Sequence, residues 1–392
     1  MIWSPFDRSI KHDPYPHYAE KMRQSGLFVA PSNIVFSLSH DSARYILNRE
    51  EEFRSAPPSR GGRHALPAFD RVMQHCLLMN DGARHRQNRA SMTRFFSLEE
   101  AEKNIETHTT TLLEKLANRQ SFDLVDELIE PVVASTLIKT LGFDPGVQTK
   151  AVEWSEALLR SVDIFVSSKK YQEMETASLA FERFIDQSIH DQQIGGFTCH
   201  IYQKLRESLT HDEALTKTTS FTATLLFTGI NTAVGLIGNI VFKLLSEPEL
   251  VAQLTALRQA HGEIPSTATE ELIRLCPSVH FTFRFAKQDT SVKGIQISRN
   301  QVMAICLASA NRDPEVFDHP NAFVPERQSN PHLSFGTGKH YCFGAKLARM
   351  HLKVMLTGIL NSLPDWKLQN EFPVYKKYNF VQAPASITVD TT

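Results

Sequence analysis

Between Thr210 and Pro248 the chain carries one uninterrupted helical signal. Thr210 and Glu213 have the spacing of a capping box, in which a hydroxyl and a carboxylate each satisfy a backbone N–H at a helix start. Pro248 forbids continuation nearby. The span is about 36 residues, or about 54 Å at 1.5 Å each, long enough to cross a whole domain. Its middle, 225–240, is apolar on nearly every face, which predicts a central helix with the rest of the chain built around it. Within that middle stand Gly229, Asn231 and Thr232. Glycine costs about 1 kcal/mol relative to alanine and an unpaired buried amide a few more, so these three positions need a reason.

Most other segments show helical periodicity, and the β-branched or aromatic runs 27–30, 34–38 and 302–307 predict a few strands. No repeat, low-complexity tract or long linker marks a boundary, which predicts a single domain over 1–392. The 42 basic and 43 acidic residues leave a net charge of -1, so no global field favours nucleic acid or an anionic membrane. The first 18 residues lack the basic start and apolar stretch of a signal peptide, and the expectation is a soluble, cytoplasmic monomer.

Residues 335–349 read FGTGKHYCFGAKLAR. Gly336, Gly338 and Gly344 surround Cys342, and 345–360 has strong helix propensity. The expected structure is a tight loop that delivers a thiolate to a helix N-terminus, where free N–H groups and the helix dipole lower the thiol pKa. Glycines there would let the backbone approach a flat ligand closely. Cys76, Cys199, Cys276 and Cys306 are widely spaced, form no C-x-x-C pair, and are expected to be small buried hydrophobes.

The segment resembles the haem-binding loop of the cytochromes P450, with Phe335, Gly336, Gly338, His340, Cys342, Gly344, Leu347, Ala348 and Arg349 all matching. The resemblance runs through the chain, from Asp13-Pro14-Tyr15 and Phe53 onwards. It implies a mainly α fold with small β-sheets, a long central helix over the haem, haem b as cofactor and Cys342 as the iron ligand. It also implies that His85 and Arg89 meet a haem propionate, on a helix where the family's D-P-P-x-H-x-x-x-R becomes Asp81-Gly82-Ala83-Arg84-His85 and then Arg89. Their four-residue spacing puts both on one face. Arg284 and His340 are the further propionate contacts implied, with Phe335, Gly336 and Gly344 in the loop. Glu271, Arg274 and Arg327 match a structural ion network.

Residues 228–233, TGINTA, resemble the family's oxygen-handling segment. Gly229 would let a small ligand lie against the backbone, and Thr232 would hydrogen-bond dioxygen. Leu225, Gly229, Thr232 and Leu236 have the spacing of one face, expected to look at the iron. Asn231 stands where the family has a carboxylate, and an amide cannot exchange a proton with solvent under ordinary conditions. Protons would then come through water and Thr232, from a substrate group, or with peroxide as the oxidant.

The function implied is monooxygenation of a small, largely apolar substrate in biosynthetic tailoring. The substrate is expected between the long helix, the 57–75 loop, the segment around Phe165 and the residues after Arg274, with Leu225, Phe281 and Phe283 as candidate apolar lining, plain packing being the commoner role for such rings. No flavin or iron–sulfur motif is present, so electrons are expected from an external ferredoxin or flavodoxin with its reductase, docking at Lys339, Arg84, Arg86 and Lys346. The alternatives are a peroxide-driven or oxidative-coupling enzyme on the same haem, and a non-catalytic haem protein that recruits a partner enzyme.

Overall fold

A computed structural model describes residue 5 and residues 10–58, 66–163 and 166–391. Phe165 and most of the first half of the 57–75 loop lie outside the described residues.

The long helix runs His211–Ser246, and its capping box forms as the sequence predicts. Thr210 donates its backbone N–H (2.9 Å) and its hydroxyl (2.8 Å) to Glu213, whose N–H donates back to Thr210 Oγ1 at 3.4 Å. Pro248 opens the next helix, Pro248–His261, at the position where a missing N–H costs nothing. By length and composition the long helix could cross a membrane, yet 67% of its apolar window is buried in protein, the condition of a core helix.

Two compact units share the chain. The first comprises residues 1–54, 106–129 and 232–392, and it holds every strand among the described residues. Its main sheet has five strands in the order Leu27–Val29, Val35–Ser37, Val302–Cys306, Phe281–Ala286 and Phe53–Arg54. Val302–Cys306 lies in the middle, parallel to Val35–Ser37 and antiparallel to Phe281–Ala286. A strand covered on both sides reads as a continuous apolar run, which is why V-M-A-I-C shows no alternation. Phe53, Met303 and Ile305 pack with Ala43 and Ile46 of the helix His40–Asn48 into one core. A three-stranded antiparallel sheet, Ser121–Asp123, Thr388–Thr391 and Trp366–Leu368, and two hairpin-like pairs complete the strands. Phe281 is 1% exposed, held edge-on by Tyr18 and Phe36. It packs the core, the commoner of the two roles open to it.

The second unit, residues 55–105 and 130–231, is helical among the described residues. Its short helix Pro67–Met73 starts with no capping side chain of its own. Glu175, on the helix Ser168–His190, supplies one by accepting from the N–H groups of Ala68 (2.9 Å) and Phe69 (3.0 Å). Arg71 then grips Glu182 with two parallel bonds of 2.9 and 2.7 Å.

Candidate active site

Cys342 lies half-buried just before the helix Ala345–Ile359, which begins one residue after its cap, Gly344. Its N–H donates to the Phe335 carbonyl at 2.9 Å, and Ala345 N–H reaches back to the Cys342 carbonyl at 3.4 Å. The loop is therefore pinned on both sides of the sulfur. Gly336 and Gly338 have φ of +68° and +73°, backbone that other residues rarely adopt. A Cβ on Gly338 would come within 2.9 Å of Asn48 Oδ1 and 3.0 Å of the Leu47 carbonyl, whereas one on Gly344 would meet no atom within 4 Å. Gly338 thus serves the approach of the loop to the helix His40–Asn48, a different reason from the flat ligand expected. Of the other cysteines, Cys76, Cys276 and Cys306 are buried. Burial pushes all three thiols up, Cys276 to about 11, so they stay protonated.

The helix Ser266–Leu275 carries two adjacent carboxylates with different sets of partners. Glu271 and Arg274, both 0% exposed, pair through bonds of 2.7 and 2.8 Å. Arg274 also donates to the carbonyls of Asn311, Pro320 and Ala322, so each of its five N–H groups has an acceptor. Arg327 completes the network at 3.2 Å from Glu271. The three residues stand where the resemblance implies.

Glu270 was not singled out by the sequence. It takes both forks of Arg349, at 2.6 and 2.7 Å, and Nε2 of His332 at 2.9 Å. Burial opposes its charge, but the Arg349 and His332 hydrogen bonds outweigh it and hold the carboxyl at about 2. Asn311 was also missed. It donates to the Arg274 carbonyl (3.3 Å) and Ser334 Oγ (2.7 Å), and accepts from Leu333 N–H (2.6 Å) at the start of the loop. The Glu270-Glu271 doublet was the available signal, because consecutive helical residues point about 100° apart and two carboxylates there need two sets of cations.

Residues 263–389 match the family described as Cytochrome P450. A putative cytochrome P450, YjiB, of Bacillus subtilis is 26% identical over 385 residues, covering 93% of this chain and 90% of its own. The chain belongs to the cytochrome P450 family. Among solved structures, P450BioI bound to an acyl carrier protein carrying hexadec-9Z-enoic acid superposes with a TM-score of 0.84 at 22% identity, over 97% of this chain and 99% of the other. CYP109E1 from Bacillus megaterium with testosterone gives 0.85 at 22%, over 98% and 100%. These likenesses establish the fold of this P450: mainly helical, with small sheets and a long helix at 211–246.

As a P450 monooxygenase-family enzyme the chain takes haem b, and the donor set fits. The half-buried Cys342 precedes a helix N-terminus, and Gly344 beside it opens onto space free of protein atoms. In the first unit, Arg284 is buried on the strand Phe281–Ala286, with Nη1 donating to the Phe283 carbonyl at 2.8 Å. His340 is half-buried and ends the short helix Gly338–His340, and Phe335 lies half-buried at the loop's start. In the second unit, His85 is 1% exposed and Arg89 half-buried on the helix Gly82–Phe95. Gly82, where the family pattern has proline, has φ +62°, which a proline ring cannot adopt. Asp81 before it accepts from the N–H groups of Ser55 and Ala56, at 3.0 and 3.2 Å.

From Thr218 to Gly238 every residue of the long helix is buried except Thr228, Gly229 and Thr232. That break in burial falls on the segment expected to handle oxygen. A Cβ on Gly229, however, would lie 2.8 Å from Leu137 Cδ2, on the helix Glu130–Leu141. Packing against Leu137 is thus one role of this half-buried glycine. Asn231 is 0% exposed and donates Nδ2–H to Ser155 Oγ at 2.9 Å. Ser155, on the helix Gln148–Leu159, passes its own proton to the Leu226 carbonyl at 3.2 Å. Lys339, expected as a docking charge, is ion-paired with Glu50.

Proposed function

We propose that this P450, working as one domain over 1–392, inserts one atom of dioxygen into a small, largely apolar substrate, with Cys342 as the residue that would hold the haem iron. The observation that carries the reading is the state of Cys342: half-buried before a helix N-terminus, in a chain whose buried Cys76, Cys276 and Cys306 thiols are held protonated. Haem held there supplies the activation of dioxygen, and the chain supplies binding, orientation and protons. His85, Arg89, Arg284 and His340 are the residues that would hold its propionates. Thr232 carries the proton relay through its hydroxyl, with Thr228 one turn before it on the same side. Asn231 contributes no proton, and its bond to Ser155 fixes the helix that presents Thr232. Electrons come from an external ferredoxin or flavodoxin. With Lys339 paired to Glu50, the exposed Lys346 in the first unit and Arg84 and Arg86 in the second are cations that partner would meet.

A peroxide-driven reaction is the second reading, favoured by the Asn231–Ser155 bond, because peroxide brings its own protons. Carbon monoxide binding to the reduced holoprotein tests the ligand: the strongly red-shifted band of sulfur ligation is expected in the wild type and lost in Cys342→Ser. A metabolite library screened by the low-spin to high-spin change then finds the substrate. Product formed under isotopically labelled dioxygen with ferredoxin and reductase must carry the label. Turnover with hydrogen peroxide alone, and none with dioxygen, selects the second reading.

A further inference from the structure

The two carboxylates of the helix Ser266–Leu275 differ in what they hold. Glu271 ties scaffold to scaffold, through Arg274 and Arg327. Glu270 ties the helix to the cysteine loop itself, and at three points. His332 stands ahead of the loop, with Nε2 on Glu270 Oε2 at 2.9 Å and Nδ1 accepting from Ser334 N–H at 3.3 Å. With Nδ1 an acceptor, the ring proton lies on Nε2 and points at the carboxylate, so a neutral imidazole satisfies both bonds. Arg349, bidentate on Glu270, lies with its guanidinium 4.5 Å from the Phe335 ring centroid, and Phe335 is the residue whose carbonyl accepts the Cys342 N–H. The remaining arm of Arg349 donates to the Tyr341 hydroxyl at 3.0 Å, one residue before the cysteine.

We infer that Glu270 is a positioning residue for the Cys342 thiolate, gripping both flanks of its loop through Arg349 and His332 and offsetting the Arg349 charge that otherwise acts on the sulfur. This rests on Cys342 being the iron ligand. Charge near a metal's axial ligand sets how readily the metal accepts an electron, because a positive neighbour favours the reduced state and a negative one opposes it. Residues that hold a ligand from behind tune a site in this way without touching the metal.

The test uses the holoprotein and its reduction potential. Glu270→Gln leaves Arg349 uncompensated and is expected to shift the potential positive. Arg349→Gln leaves Glu270 uncompensated and shifts it negative. The double variant, neutral at both positions, returns close to the wild type, and Glu270→Asp lies nearer the wild type than Glu270→Gln. Opposite signs are the signature, because loss of structure alone moves both single variants the same way. In Glu270→Gln the fraction of the carbon monoxide complex lacking the red-shifted band should also rise several-fold. Melting temperatures that fall while potential and spectrum stay unchanged would reduce Glu270 to fold support and overturn the inference. If Glu270→Gln fails to hold haem, Arg349→Gln and the double variant still decide it: a positive shift, or none, in Arg349→Gln overturns it. A wild type without the red-shifted band removes the Cys342 reading instead, a result independent of any Glu270 variant.

Discussion

Around Cys342 the support is ionic: Glu270 pairs with Arg349 and bonds His332, and Glu271 pairs with Arg274 and Arg327. Between Thr218 and Gly238 the long helix has no charged residue, and Asn231 is held by the neutral hydroxyl of Ser155. The difference follows the number of partners each place offers. Arg274 tolerates complete burial because five acceptors meet its five N–H groups. Asn231 is fully buried and donates to the neutral Ser155 hydroxyl, and a carboxylate there would be desolvated. The resemblance leads one to expect an acid at this position, where Asn231 instead forms a clasp to Ser155.

The ionic side breaks hardest. Arg274→Ala leaves Glu271 buried against a cavity and should cost about 3–5 kcal/mol, read as the loss in urea unfolding free energy. A loss under 1 kcal/mol would mean that the five bonds do not rigidify the site. Asn231→Asp puts a charge where the helix is neutral, with an expected penalty of roughly 2–4 kcal/mol at neutral pH. Burial raises the new carboxyl's pKa, so the penalty is full above that raised value and fades as pH falls toward the ordinary carboxylate range. If product formed per reduced nicotinamide consumed and the rate both stay at wild-type values in this variant, position 231 has no hand in protonation.

Glu270 sharpens the comparison through pH. Its carboxyl is held at about 2 against an ordinary 4.5, so the stability it contributes is complete above about 4.5 and disappears as pH falls to about 2. The stability gap between wild type and Glu270→Gln, followed by thermal unfolding, should be flat above that window and narrow within it. A gap unchanged down to pH 2 would show that the ion pair contributes no net stability. The smallest effect belongs to Gly338→Ala, at about 1–2 kcal/mol for a left-handed residue, with some added strain against Leu47 and Asn48.

Much of this was legible in short stretches of chain. Thr210, Glu213 and Pro248 delimited the long helix, and the run from Phe335 to Arg349 marked the cysteine loop. The arrangement of Glu271 with Arg327 was reached only through family resemblance, since 56 residues separate them. Phe281 and Gly229 were ambiguous in the sequence for a common reason. An aromatic ring or a glycine has the same local signature whether it faces a ligand or a neighbouring side chain, and here the neighbours are Tyr18, Phe36 and Leu137.

By itself the sequence determined where the long helix starts and stops, which cysteine stands before a helix N-terminus, and which glycines surround it, because capping, proline geometry and turn-forming residues act within a few positions. Only the tertiary structure decided that Glu270 serves the loop while Glu271 serves the scaffold, that Gly229 makes room for Leu137, and that Asn231 ends on Ser155, 76 residues away. Those pairings are contacts between distant side chains, and backbone preference carries no information about which distant partner the packed core will bring within hydrogen-bond reach.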